Sequence, residues 1–130
     1  MKKMNKVILD ASAFLALVNN EAGKDVVEPL LPYSIMSSVN ISEVVSELNS
    51  KLSLPIEHIQ KILCLIPEVY QFDKNLAIQV GLLKKSVTHL GLSLGDRACL
   101  TLAGHLTLPV YTADKAWSKL HTDITITQIR

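Results

Sequence analysis

Asp10, Glu43, Asp96 and Asp114 are the residues of this 130-residue sequence best placed to do chemistry. Asp10 closes the apolar run Val7-Ile8-Leu9, and Asp114 follows Val110-Tyr111-Thr112-Ala113. Glu43 falls in the first turn of a predicted helix that follows a second short apolar run. Asp96 falls in the first turn of the most apolar helix of the chain. Singly, each carboxylate has a structural use, because acids at helix N-termini cap free N–H groups and complement the helix dipole. Asn40-x-x-Glu43 and Ser93-x-x-Asp96 even have capping-box spacing. As a set they suggest more. Three of the four follow predicted strands, and Glu43 lies away from the apolar stripe Ile41, Val44, Val45 and Leu48, free to face a cleft. A lone carboxylate at the head of an apolar helix is costly to bury. Acids gathered together repel unless a cation sits among them, and oxygen donors without matching His or Cys select a hard ion, Mg²⁺ or Mn²⁺. Such an ion polarises a phosphate and activates water for in-line attack. Asp25 and Asp73 read as helix caps, and Glu47 as a solvated helix residue.

Other chemistries lack parts. The five glycines are scattered and none directly follows a strand, which removes the glycine-rich phosphate loops. There is no G-x-S-x-G elbow, no C-x-x-C pair, and no zinc spacing among His58, His89, His105 and His121. Cys64 and Cys99 lie in apolar runs and read as small buried hydrophobes. A phosphoaspartate enzyme with Asp10 as nucleophile is weakened by Ser12, which stands where a second acid would be needed.

The elements that must hold these residues alternate. Short apolar strands are predicted at Lys6–Leu9, Tyr33–Ser37, Glu68–Phe72, Pro109–Tyr111 and Ile124–Thr127. Between them the periodicity predicts helices over Ala11–Asn19, Glu21–Leu31, Asn40–Leu52, Pro55–Ile66 (apolar through Ile56, Ile59, Ile62, Leu63 and Ile66), a helix capped by Asp73, one from Ser93, and Asp114–Leu120. This alternation points to an α/β domain of three layers, with a mostly parallel sheet of about five strands and the ligand site beyond the strands' carboxyl ends.

Composition bounds the rest. The length suits one domain over residues 1–130. The 48% apolar content, 19% charged content and mean hydropathy of +0.29 describe a dense core and exclude a disordered or fibrous chain. A net charge of +1 and a pI near 7.8 exclude bulk electrostatic coating of duplex DNA. If four of the 12 acids gather at one site, the 13 bases outnumber those left, so the balance admits an RNA substrate. Met1–Val18 has the outline of a secretory signal, but Asp10 interrupts its apolar stretch. No apolar run reaches the roughly 20 residues of a membrane span. Cysteine usage fits a reducing cytoplasm.

Ile8-Leu9-Asp10-Ala11-Ser12-Ala13, Val39-Asn40-Ile41-Ser42-Glu43-Val44, Leu92-Ser93-Leu94-Gly95-Asp96-Arg97-Ala98 and Val110-Tyr111-Thr112-Ala113-Asp114 occur in the order seen in PIN-domain proteins. More narrowly, the chain resembles VapC-type toxins of prokaryotic toxin–antitoxin pairs, over nearly its whole length. The resemblance implies an α/β/α PIN fold and a metal-dependent ribonuclease in which Asp10, Glu43, Asp96 and Asp114 hold Mg²⁺ or Mn²⁺. Ser12 and Thr112 match hydroxyl positions of the first and last motifs and would orient the carboxylates. It also implies a homodimer, a small cognate antitoxin and a cytoplasmic RNA target. Where some members carry a further acid, this chain has Lys115, Ala116 and Trp117. Arg97 and Lys115, each directly after a proposed ligand, are candidate RNA contacts or ordinary surface charges. Tyr33, Tyr111 and Trp117 read as core residues before stacking platforms. A PIN-like module that binds RNA or protein without cleaving is the alternative.

Overall fold

The computed structural model describes residues 5–130, so Met1–Met4, the start of the signal-like segment, lie outside the described residues. Five strands form one sheet: β1 (Val7–Leu9), β2 (Ser34–Ser37), β3 (Glu68–Tyr70), β4 (Val110–Thr112) and β5 (Ile126–Gln128). Their order is β3-β2-β1-β4-β5 and every neighbouring pair is parallel. β1 lies at the centre, with Ile8 beside Ile35 on one flank and Val110 on the other. A strand buried on both faces needs apolar residues at every position, and Val7, Ile8 and Leu9 are all buried.

The pleat sends those residues to two different cores. Val7 and Leu9 join Phe14, Met36, Val44, Leu48 and Ile59 under α1 (Ala11–Val18), α3 (Ser38–Ser50) and α4 (Ile56–Leu63). Ile8 joins Ile35, Cys99, Leu102, Val110 and Trp117 on the opposite face, which α6 (Leu94–Leu106) covers, with Val87 from α5 (Lys74–Val87). The expected three-layer α/β/α arrangement is present, and its sheet is parallel throughout.

Several boundaries differ from expectation. The predicted helix Glu21–Leu31 is a single turn, α2 (Lys24–Val27), running into a 3₁₀ segment over Glu28–Tyr33. Pro29 and Pro32 lack the N–H that α-helical bonding requires. Val27 is buried and Leu30 and Leu31 pack on the first core, whereas Val26 is exposed. The predicted helix Asp114–Leu120 is likewise 3₁₀, over Lys115–Lys119. α3 begins two residues before Asn40, with Ser37 as its cap: Ser37 Oγ accepts the Val39 N–H at 3.2 Å. On α4, Ile59 is buried but Ile56 faces solvent. Asp73 caps α5 as expected, accepting the Leu76 N–H at 2.9 Å. Cys99 is buried, but Cys64, at the end of α4, is exposed. Among the described residues, no helix is long and apolar enough to cross a membrane.

Candidate functional site

Parallel topology sets all five strands' carboxyl ends on one side, and the acids follow from that. Asp10 leaves β1 and caps α1, its Oδ1 accepting the Ala13 N–H at 2.8 Å. The side chain is almost fully buried. Two hydroxyls reach it: Ser12 Oγ donates to Oδ1 and Oδ2 at 2.8 and 2.9 Å, and Thr112 Oγ1, from the end of β4, donates to Oδ2 at 2.5 Å. Each hydroxyl in turn accepts a backbone N–H from the chain leaving β4, Ser12 from Ala113 at 2.9 Å and Thr112 from Asp114 at 3.0 Å. A hydroxyl has one proton, so accepting from the backbone directs that proton toward Asp10. Three protons, that of Ser12 shared between both oxygens, thus make two contacts to each oxygen of the carboxylate.

Burial pushes the Asp10 carboxyl up to about 6. The Thr112, Ala13 and Ser12 bonds oppose that rise, and the charge of Asp96 adds to it. Glu43 is also raised, first by burial and then by Asp96, against a lowering bond from Asn40. The buried Cys99 thiol, one turn into α6 from Asp96, is pushed up by burial and then by Asp10, Asp96 and Glu43. The Glu43 carboxyl lies against Gly95 at the head of α6, and the charge of Asp96 reaches both Glu43 and Asp10. Among the described residues, none of the four acids forms an ion pair with a basic side chain.

Asp96 is the third residue of a capping box, its Oδ2 accepting the Ser93 N–H at 2.9 Å while its own N–H donates to Ser93 Oγ at 3.1 Å. Asp114 caps the 3₁₀ segment after β4, accepting the Ala116 N–H at 3.0 Å. It is joined to Asp10 through the Thr112 hydroxyl. Both readings of the acids meet here: Asp10, Asp96 and Asp114 cap helices, and capping is what fixes them at the strand ends. Glu43 does not, because α3 starts earlier than the spacing suggests. It stands inside the helix and lines an open cleft of about 350 Å³ between α1 and α3, with Ala11, Ser12, Leu15, Ser46 and Glu47.

Two residues not singled out for function hold Glu43. Asn40, buried in α3, donates from Nδ2 to Glu43 Oε1 at 2.7 Å and to the Gly95 carbonyl at 3.1 Å. Gly95 abuts the Glu43 carboxyl so closely that a Cβ there would overlap it. Nothing in the spacing of Asn40 distinguishes this arrangement from a cap.

The Arg97 expectation is corrected. Its side chain is buried and Nη1 donates to the Val80 carbonyl at 2.9 Å, tying α6 to α5, so it is no surface contact. Lys115 is exposed, with Nζ donating to the Arg130 main-chain oxygen at 2.8 Å. Glu47, at the rim of the same cleft as Glu43, pairs with Lys51 at 3.0 Å. Trp117 is core, and Tyr33 and Tyr111 are half-buried, Tyr111 against the first core.

The donor set fits a hard divalent ion: oxygen ligands, mutual repulsion and, among the described residues, no basic side chain paired with them. As the side chains stand, no three His, Cys, Asp or Glu groups among the described residues are close enough to form a finished cage.

Among curated proteins none matches the chain by sequence. Among solved structures it is similar to a toxin–antitoxin complex from Klebsiella pneumoniae, at 15% identity and a TM-score of 0.75, covering 96% of this chain and 98% of that one. DNA-bound VapBC from Salmonella typhimurium gives 19% and 0.73, covering 98% and 100%. FitAcB from Neisseria gonorrhoeae gives 18% and 0.67, covering 95% and 97%. At these identities the likeness is one of fold. The sequence profile of the PIN domain matches residues 7–122, and with that match the chain belongs to the PIN domain family.

Proposed function

We propose that this chain is one PIN domain over residues 1–130 acting as a VapC-like toxin, a Mg²⁺- or Mn²⁺-dependent endoribonuclease. The observation that carries the reading is the Glu43 carboxyl packed against Gly95 at the head of α6, with the charge of Asp96 reaching both Glu43 and Asp10 and, among the described residues, no basic side chain paired with any of them. Asp10, Glu43, Asp96 and Asp114 would hold the ion. The chemistry a divalent cation supplies there is Lewis acidity, which polarises a scissile phosphodiester and lowers the pKa of water. Ser12 and Thr112 keep Asp10 ionised and oriented by aiming both hydroxyl protons at it. The cleft between α1 and α3 gives a strand of RNA an approach to Glu43. Lys115, exposed one residue beyond Asp114, is placed to meet a backbone phosphate. Solved neighbours that are toxin–antitoxin complexes support a small antitoxin as partner. Homodimerisation and a cytoplasmic RNA target complete the reading.

The test is cleavage of a mixed RNA pool by purified protein with Mn²⁺, beside Asp10→Asn. We expect cleavage by the wild type and a loss of at least about 100-fold in the variant, the upper range for disturbing a metal site. Equal cleavage by both, or none by a folded, antitoxin-free wild type, overturns the proposal.

A further inference from the structure

Glu43 differs from the other three acids in how it is held. Asp10, Asp96 and Asp114 are fixed by helix caps, but a glutamate inside α3 has three rotatable bonds and no cap to restrain it. Its carboxylate nevertheless sits against α6. Asn40, one turn earlier on the same face of α3, is buried and reaches two acceptors at once, Glu43 Oε1 and the Gly95 carbonyl. Turning the amide over would set its oxygen against both acceptors, so the contacts fix its orientation. Among the described residues Asn40 Oδ1 itself is buried with no hydrogen-bond partner, a cost borne to place the two donors. On the other side, the absent side chain of Gly95 makes the room that the carboxylate fills.

We infer that Asn40 and Gly95 are positioning residues: together they seat the Glu43 carboxylate at the seam of α3 and α6, beside Asp96, before any ion arrives. This rests on the metal-dependent reading above. Gly95 is a helical residue, and alanine is the better helix former, so Gly95→Ala retains or gains stability. The three nearest atoms that the new methyl would meet all belong to the flexible end of Glu43, so the variant folds and Glu43 moves. A purely structural role for Gly95 predicts the reverse pattern.

The experiment compares wild type, Gly95→Ala and Asn40→Ala by Mn²⁺ calorimetry, thermal melting and the crystal structure of metal-free Gly95→Ala. We expect Mn²⁺ affinity to fall about 10- to 100-fold in both variants, the range for losing a support behind a ligand. The melting temperature of Gly95→Ala should not fall, and its Glu43 carboxylate should be displaced. Gly95→Ala binding Mn²⁺ as the wild type does, or showing Glu43 unmoved, overturns the inference even if Asn40→Ala fails to fold. Wild-type protein that binds no Mn²⁺ overturns the metal reading and the inference together.

Discussion

Asp10 shows how a few polar atoms decide whether a buried acid is usable. Burial drives its carboxyl up to about 6, and the Thr112 hydroxyl is the largest influence against that rise. Thr112→Val nearly preserves the volume but removes the proton aimed at Oδ2, and it strips the Asp114 N–H of its acceptor. A more tightly held proton competes with metal over a wider pH range. We therefore expect the acid limb of the pH–cleavage profile to move upward in Thr112→Val. At pH 6.5 the activity should fall about tenfold, as for loss of a group supporting a metal ligand, with partial recovery near pH 8. A profile that keeps its shape would show that the hydroxyl does not tune Asp10. Ser12→Ala should move the limb the same way and less, since its bond is the weaker restraint on the pKa.

At the scale of elements, α6 carries both a ligand candidate and its own structural ties. Ser93→Ala removes the cap, at a cost of about 1 kcal/mol, and should lower the melting temperature by a few degrees. It leaves the Asp96 N–H without its acceptor, while the Ser93 N–H still holds the Asp96 carboxylate. Arg97→Ala removes a buried guanidinium tie to α5, and loss of a charged hydrogen bond in the interior costs about 1.5–3 kcal/mol. Its effect on cleavage should track the folded fraction. Lys115→Ala should leave melting within about half a kcal/mol, as exposed substitutions do, and raise the RNA KM. Melting curves and steady-state kinetics on the two variants separate the roles that adjacency in sequence makes look alike. The strands, the caps at Asp10, Asp73 and Ser93, and the order of the acids were legible because each depends on a few neighbouring residues. The 3₁₀ segment at Glu28–Tyr33 was not, because an apolar periodicity persisted through prolines that cannot support it. The Asn40–Gly95 contact spans 55 positions and Arg97 reaches back 17, so no local pattern encodes either. Cys64 sits in as apolar a run as Cys99, yet lies at the end of a helix whose outer face is wet.

For the whole molecule, the acid cluster ties stability to pH and to metal. Asp10 has a reference pKa of 3.8 and a folded one of about 6, so between those values the folded state binds more protons than the unfolded chain. Stability from this group is therefore greatest below the lower value and is lost as pH rises through about 6. The full difference is about 3 kcal/mol, of which roughly 1.4 kcal/mol falls between pH 5 and 7.5. Glu43, raised for the same reasons, acts in the same direction. Metal-free protein should melt several degrees lower at pH 7.5 than at pH 5, in a range where ordinary carboxylates are already ionised. In Asp10→Asn the dependence should flatten, and the variant should melt at or above the wild type at pH 7.5, because a buried charge has been removed. Mn²⁺ should reverse the trend, since a bound cation favours the ionised carboxylates. At 100 times its dissociation constant it adds about 2.7 kcal/mol, and more of that should appear at pH 7.5, where no proton competes. Scanning melts at both pH values, with and without Mn²⁺, check the sign of each effect. A metal-free protein that grows more stable from pH 5 to 7.5 would mean that the acids are already neutralised within the fold, leaving no electrostatic reason for a metal at this site.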